Sequence, residues 1–404
     1  MTDLLLRCGN LLDVESGDYT EGDLLCADGR IAETGRGLTA PEGARVVDLA
    51  GATVLPGLID AHVHVTAATA DLGALPSWSP SYAAAHAAQI MGRMLDRGFT
   101  TVRDASGADF GLADAQAEGL VRGPRLMFCG KALSQTGGHG DTRPRGTRVH
   151  DGHSCCAGLG RIADGVDAVR AAARDELRKG AHHIKVMAGG GVASPTDRID
   201  STQYSTGELR AIAEEAAAAN RYVAAHAYTG RSVSRALQAG IRSIEHGNLI
   251  GADNIAEFLE HEAFLVPTLV TYWALQAEGR DFGLPQQSWR KVDEVLDAGL
   301  AALELAHRGG VRIAYGTDLL GGMHRHQNQE FRIRGEVQPP LEIIRSATST
   351  AAELIGMPGR LGTLRAGALA DLVVLDGDPL ADIGVLADPD NIRTVVQHGV
   401  LVRG

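Results

Sequence analysis

Two histidines separated by one residue, His62 and His64, sit in the apolar stretch Leu58-Ile-Asp-Ala-His-Val-His-Val65. On a β-strand, positions i and i+2 project to the same side. Both imidazoles then aim at one point, as two ligands of a metal ion must. Such a pair also occurs as packing or surface residues, so it gains meaning only from partners elsewhere. Those partners stand at the ends of other apolar runs. Lys185 lies in His183-Ile-Lys-Val-Met187, His226 closes Tyr222-Val-Ala-Ala, and His246 follows Ser243-Ile-Glu. Asp318 comes directly after Val311-Arg-Ile-Ala-Tyr-Gly-Thr317. A lone strand-end His is commonly a hydrogen-bonded structural residue, and a strand-end Asp is often a helix N-cap. Their joint occurrence at the ends of separate strands points instead to metal binding.

The elements that must position these groups follow from hydrophobic period and turn residues. Residues 1–52 read as short strands (Leu4–Arg7, Asp23–Ala27, Arg30–Glu33, Arg45–Asp48) between turns such as Asp28-Gly29. From Val54 onward strand and helix alternate. Strands are expected at Leu58–Val65, Phe99–Asp104, Arg125–Cys129, His183–Met187, Tyr222–His226, Ser243–His246, Phe264–Pro267 and Val311–Tyr315. Among the helices between them, one is opened by the capping box Ser205-Thr-Gly-Glu208. One long helix is expected within 286–308 and another over 341–354. Eight βα units over roughly 300 residues predict an α/β chain folded as a (β/α)8 TIM barrel, with its site at the C-terminal ends of the strands. The tail returns to strands at Asp371–Leu375, Thr394–Val396 and Val400–Val402. The two β-rich ends, 1–55 and 360–404, are expected to build a small β-sandwich domain beside a barrel of residues 56–359. Ser134 to Leu159 reads as one long Gly- and Arg-rich loop, a length usually kept for function.

Composition narrows the classes. The formal charge of −12 argues against nucleic acid, whose phosphates require a basic surface. No apolar run approaches the ~20 residues that span a bilayer, and the three leucines near the start are too few for a secretory segment. Five cysteines (Cys8, Cys26, Cys129, Cys155, Cys156) follow no spacing code and fit a reducing compartment. A cytoplasmic location with no membrane partner is expected, and the vicinal Cys155-Cys156 pair reads as plain loop thiols.

Taken together, Pro56-Gly-Leu-Ile-Asp-Ala-His-Val-His64, Ile184-Lys185, Ala225-His226, Glu245-His246-Gly247, Gly316-Thr-Asp318 and Gly362-Thr-Leu-Arg-Ala-Gly-Ala-Leu-Ala-Asp-Leu-Val-Val-Leu375 resemble the amidohydrolase superfamily over essentially the full length. The resemblance implies two divalent metal ions, with zinc suited to the nitrogen and oxygen ligands. His62, His64 and Asp318 would hold one ion, His226 and His246 the other, and Lys185 would bridge them as its carbamate. A lysine ammonium repels divalent cations, whereas a carboxylated lysine offers two anionic oxygens; the alternative for Lys185 is an interior salt bridge. The implied chemistry is attack of a metal-bridging hydroxide on an amide carbonyl, with Asp318 passing the proton to the leaving amine. His183, on the strand face of Lys185, reads as packing below the site.

Three segments narrow the resemblance further: Lys185-Val-Met-Ala-Gly-Gly-Gly-Val-Ala-Ser-Pro-Thr-Asp197, Ser134-Gln-Thr-Gly-Gly-His-Gly-Asp141 and His226-Ala-Tyr-Thr229. They are similar to the branch of prolidase-like dipeptidases, C-terminal-residue carboxypeptidases and ochratoxin-hydrolysing amidohydrolases. That branch implies cleavage of a peptide or N-acyl amide bond next to a C-terminal amino acid, and a homo-oligomer. It places Tyr228 on the scissile carbonyl and His139 on the substrate's carboxylate or carbonyl, with Val192 and Ser194 as further substrate contacts. The alternatives are an edge-packing aromatic for Tyr228 and an exposed loop residue for His139. Gly189-Gly-Gly191 lacks the Lys-Ser/Thr of a P-loop and reads as small residues leaving room near the substrate. Arg143, Arg145, Arg161, Arg325 and Arg332 lie in loops within reach of a carboxylate, and His324 and His326 follow Asp318. Trp78, Trp273 and Trp289 read as packing residues. The competing functions are a cyclic-amide hydrolase of the imidazolonepropionase or dihydroorotase kind, and a non-catalytic scaffold; the complete ligand set argues against the scaffold.

Overall fold

The computed structural model describes residues 2–144, 146, 156–194 and 197–404; Arg145 and Cys155 lie outside them. The strands in chain order are β1 (Leu4–Leu12), β2 (Tyr19–Ala27), β3 (Arg30–Gly35), β4 (Arg45–Asp48), β5 (Thr53–Pro56), β6 (Leu58–Val63), β7 (Phe99–Asp104), β8 (Arg125–Met127) and β9 (Ala132–Ser134). Then follow β10 (Gly160–Ile162), β11 (Ile184–Met187), β12 (Val223–Thr229), β13 (Ser243–Leu249), β14 (Phe264–Val266), β15 (Arg312–Ile313), β16 (Leu372–Leu375), β17 (Ile392–Gln397) and β18 (Val400–Arg403).

The chain ends come together in one sheet of eight strands, in the order β18-β17-β16-β5-β1-β2-β3, with β4 on β1. These strands are joined by one continuous pattern of hydrogen bonds. Its period of two sorts the apolar residues. Leu55, Val373, Leu375 and Val395 pack against Met91, Leu95, Phe99 and Ile343 of the main body. The alternate residues Val54, Leu372, Val374 and Val396 pack with Leu4, Leu6, Leu24 and Ile31, so the other face closes on its own strands.

Between these ends run two parallel sheets, β6-β7-β8 and β10-β9-β11-β12-β13-β14-β15. Backbone bonds link them. Ala61 N donates to Tyr315 O (2.7 Å), and Asp318 N donates to His62 O (2.8 Å). At the other seam His182 N donates to Phe128 O (2.8 Å). Alternation again decides what each strand presents. Val186, Ala225 and Ile244 pack against Val169, Leu209 and Val233 of the covering helices. Lys185, His226 and Glu245 therefore point to the opposite face.

The capping box at Ser205 forms as expected, with the Ser205 side chain accepting from Glu208 N and the Glu208 carboxylate from Ser205 N. Other elements differ from expectation. The long loop is flanked by two unexpected strands, β9 and β10, each three residues and too short to show a period. The single helix expected within 286–308 is two, Gln286–Trp289 and Val292–Arg308, and that over 341–354 is Pro340–Ser346 and Ser349–Leu354. An additional helix, Leu269–Glu278, follows β14. Six of its ten residues are buried, so it carries no clean apolar stripe to announce it.

Candidate metal centre

The expected ligands lie on parallel strands or beyond their C-terminal ends. His62 is on β6 and His64 one residue past it; Lys185 is on β11, His226 on β12, His246 on β13, and Asp318 follows β15. One donor atom each from His62, His246 and Asp318 lies within 4.8 Å of the others. The Asp318 carboxylate is 3.0 Å from His64 Nε2 and 3.4 Å from His62 Nε2. Ring centroids of His62 and His246 are 5.0 Å apart, and those of His226 and His246 4.6 Å. Lys185 is 2% exposed.

The ring nitrogens are sorted by their outer partners. Nδ1 of His62 meets Glu245 Oε2 at 2.6 Å, Nδ1 of His64 meets Ser106 O at 3.0 Å, and Nδ1 of His246 meets Thr268 Oγ1 at 2.7 Å. On His226 it is Nε2 that is held, by Gly190 O at 3.0 Å. Metal-ligating histidines characteristically tie off one nitrogen this way and keep the other for the ion. These residues fit divalent ions: four half-anchored imidazoles, a carboxylate and a lysine share one wall.

Backbone conformation contributes. His246 and Asp318 both have positive φ, 76° and 54°, uncommon for residues with a Cβ. At His246 the break in alternation allows Glu245 and His246 to serve the same site. A Cβ on Gly316 would lie 2.9 Å from His62 Cβ, so only glycine lets the chain before Asp318 pass His62. Asp60 ties the two segments together, accepting from Thr317 Oγ1 (2.7 Å) and Gln327 Nε2 (2.9 Å).

Burial and charge set the protonation. Burial pushes the imidazoles of His226 and His246 well below their usual range, the state a ligand needs. Burial would lower His64 as well, but Asp318 raises it. Burial would raise the Asp318 carboxyl, and the adjacent His62 and His64 outweigh it, so it stays far below the usual carboxylate range. Desolvation lowers Lys185. Glu245, buried against the Arg103 guanidinium (2.8 Å) and His62, is likewise held well below its ordinary value despite desolvation.

A cavity opens onto these groups. His139, Val192 and Tyr228 line it, together with Tyr272. The His139 ring stacks on His226 (4.2 Å) and is held by Ser194 Oγ at 2.9 Å. Ser194 itself does not line the cavity; it stands behind His139. A Cβ on Gly191 would lie 2.1 Å from the His139 ring, which gives the glycine run its reason. Among the described residues no arginine lines the cavity. Arg143 pairs with Asp141, Arg161 with Asp175 and Glu176, Arg325 with Glu278, and Arg332 is exposed. His324 is turned to Ala67 O and His326 to Glu278. His183 is buried, stacks on Tyr222 and stays off the cavity. None of Trp78, Trp273 and Trp289 reaches it. Glu245, Arg103, Thr268 and Tyr272 are additions that strand-end reasoning passes over.

An α/β protein that gathers histidines, a buried lysine and an aspartate on and beyond its parallel strands has the residue set of a hydrolytic metal site. The chain belongs to the amidohydrolase family, whose model matches residues 53–402. A solved prolidase complexed with N-methylphosphonate-L-proline is 51% identical, with TM-score 0.97 and 100% of each chain covered. A Xaa-Pro dipeptidase with bound methionine in its active site is 29% identical, with TM-score 0.89 and 100% of each chain covered. Ochratoxinase of Aspergillus niger is 33% identical over 370 residues, covering 87% of this chain and 76% of its own length.

Proposed function

We propose that this amidohydrolase cleaves a peptide or N-acyl amide bond adjacent to a C-terminal amino acid and depends on two divalent ions, zinc by its fit to the ligands. His62, His64 and Asp318 would hold one ion and His226 and His246 the other, with carboxylated Lys185 between them. The observation that carries this reading is the sharing of one cavity wall by all six groups, with one nitrogen of each histidine tied off. An ammonium buried as deeply as Lys185 is costly. Adding carbon dioxide to the amine, with loss of a proton, replaces that cost by an anionic ligand. The hydrogen bonds joining β6 to the segment after β15 support closure of the parallel strands into an eight-stranded barrel, residues 56–359, with 1–55 and 360–404 as the second unit.

When bound, such ions acidify a water molecule and polarise a carbonyl. The protein's groups do the rest. Asp318, steadied by His62 and His64, accepts the water proton and returns it to the leaving nitrogen. Tyr228 donates its hydroxyl to the carbonyl oxygen as negative charge develops there. His139, braced by Ser194, meets the substrate's carboxylate or carbonyl. Leu72, Leu159, Leu275 and Leu320 form the apolar wall, suited to an apolar substituent. The prolidase, dipeptidase and ochratoxinase relatives support amides of this kind.

The test is incubation of zinc-loaded protein with a panel of dipeptides, N-acyl amino acids and cyclic amides, reading amine release. Release from dipeptides and N-acyl amino acids is expected. Turnover restricted to cyclic amides, or none with metal bound, overturns the proposal.

A further inference from the structure

Asp197 is a buried carboxylate that the proposed chemistry has not used. It stands in the loop after β11 with its side chain 3% exposed, and it is not among the residues that line the cavity. A buried charge is costly unless it is paired and hydrogen-bonded, and here its partners are several. The carboxylate accepts from Gly191 N at 3.0 Å, from Gln203 Nε2 at 2.9 Å and from the Ser194 hydroxyl. Lys291 Nζ lies 3.6 Å away. Burial would raise the Asp197 carboxyl, but His139, Ser194 and Lys291 outweigh it and hold it down at about 2.

Two of these donors lead to one residue, His139. Ser194 Oγ is 2.9 Å from His139 Nδ1. The Gln203 amide, whose Nε2 faces Asp197, turns its Oε1 to the His139 backbone N–H at 2.8 Å. Ring and backbone of His139 are thus both tied to the Asp197 carboxylate, each through one neutral side chain. Ser194 and Gln203 are buried, so water does not compete for these bonds. A Cβ on Gly138 would lie 2.7 Å from Gln203 Oε1, and its absence keeps the backbone tie open.

We infer that Asp197 is a positioning residue that, through Ser194 and Gln203, aims His139 at the carboxylate of the substrate's C-terminal residue. This rests on the proposed cleavage next to a C-terminal amino acid. Stacking on His226, with ring centroids 4.2 Å apart, sets the plane of the His139 ring but does not choose between its two faces. The bond to Ser194 makes that choice. An ionised carboxylate can only accept, so Ser194 gives its one proton to Asp197. The Ser194 oxygen is left as an acceptor, and His139 Nδ1 donates to it. Nδ1 is therefore held by a residue behind the cavity wall, and Nε2, across the ring, is left for the substrate. The negative charge of Asp197, 3.7 Å from Nδ1, favours a ring that donates. A donor of that kind suits a carboxylate, and holding it in place beforehand spares the cost of ordering it on binding.

The test compares zinc-loaded wild type with Ser194→Ala, Asp197→Asn, His139→Ala and the double variant His139→Ala/Asp197→Asn. Beside kcat and KM on the dipeptide and N-acyl panel, calorimetry reads binding of the amino acid that wild type releases fastest and of its primary amide, which lacks the charge. Ser194→Ala leaves the Gly191 and Gln203 contacts of Asp197 in place, so it removes the ring tie and keeps the others. It and Asp197→Asn should each raise KM and weaken the amino acid about tenfold, the scale of one hydrogen bond to a charged group, with kcat and binding of the amide within about twofold. The double variant should bind the amino acid no more weakly than His139→Ala. Equal weakening of amino acid and amide, or losses that multiply in the double variant, would reduce Asp197 to loop packing and overturn the inference. Full affinity for the amino acid in His139→Ala overturns it as well, while hydrolysis by wild type leaves the proposed function standing. Wild type that releases no amino acid from the panel refutes the proposed function itself, and this inference with it.

Discussion

Glu245 carries two duties in one carboxylate. It fixes the tautomer of His62 through Nδ1 and neutralises Arg103, which is buried with it. Removing one member of a buried ion pair leaves the other charge uncompensated, at a cost of about 3–5 kcal/mol. Losing an outer partner of a ligating histidine weakens metal binding about 10–100-fold. Glu245→Gln should therefore lower both the thermal midpoint and the zinc affinity, measured by calorimetry and by competition with a chelator. An unchanged affinity would show that His62 needs no such partner. The six expected ligands are legible in the sequence because each sits in, ends or follows an apolar run, and such folds place chemistry on and just beyond those strands. Glu245 is not legible, since by alternation it should face away from its neighbour His246. The positive φ at His246 puts both to use, and no sequence signal marks a non-glycine residue in that conformation.

At the scale of elements, the loop that follows β11 is pinned by one lysine. Lys291 Nζ donates to the carbonyls of Gly191 (3.0 Å), Ser194 (3.0 Å) and Asp197 (2.7 Å). Through this loop it steadies Val192 at the cavity and Ser194 behind His139. Lys291→Met keeps the stem and removes the donors. It should raise KM about tenfold, as expected when a positioning loop is loosened, with a smaller change in kcat. Hydrogen exchange of amides 189–203 should quicken; protection equal to wild type would show that the loop holds itself. Most βα units are readable because their strands and helices are long enough to show a period. The exceptions have physical reasons. β9 and β10 are three residues each, and the helix Leu269–Glu278 is apolar on most sides. The break at residues 290–291 and the one at 347–348 interrupt runs whose apolar spacing continues across them.

Across the whole molecule, the terminal sheet and the main body share one core, so stability is a property of both chain ends together. Buried ionisable groups outside the site then shape its pH dependence. Glu330 caps the helix Leu269–Glu278, and burial pushes its carboxyl up to about 7 from an ordinary 4.5. The folded state thus holds this proton more tightly than the unfolded chain. Its contribution is full below about 4.5 and is lost as the pH rises through about 7, on the order of 3 kcal/mol in all. Glu330→Gln should flatten the fall in thermal midpoint over that interval; a slope identical to wild type would assign the dependence to other groups. The central claim, two ions bridged by a carboxylated lysine, is reached most directly by native mass spectrometry of zinc-loaded protein in bicarbonate. Wild type should carry two zinc ions and one added carbon dioxide per chain, and Lys185→Ala should lose the adduct and keep at most one zinc. Wild type with an unmodified Lys185 and fewer than two zinc ions would contradict the account.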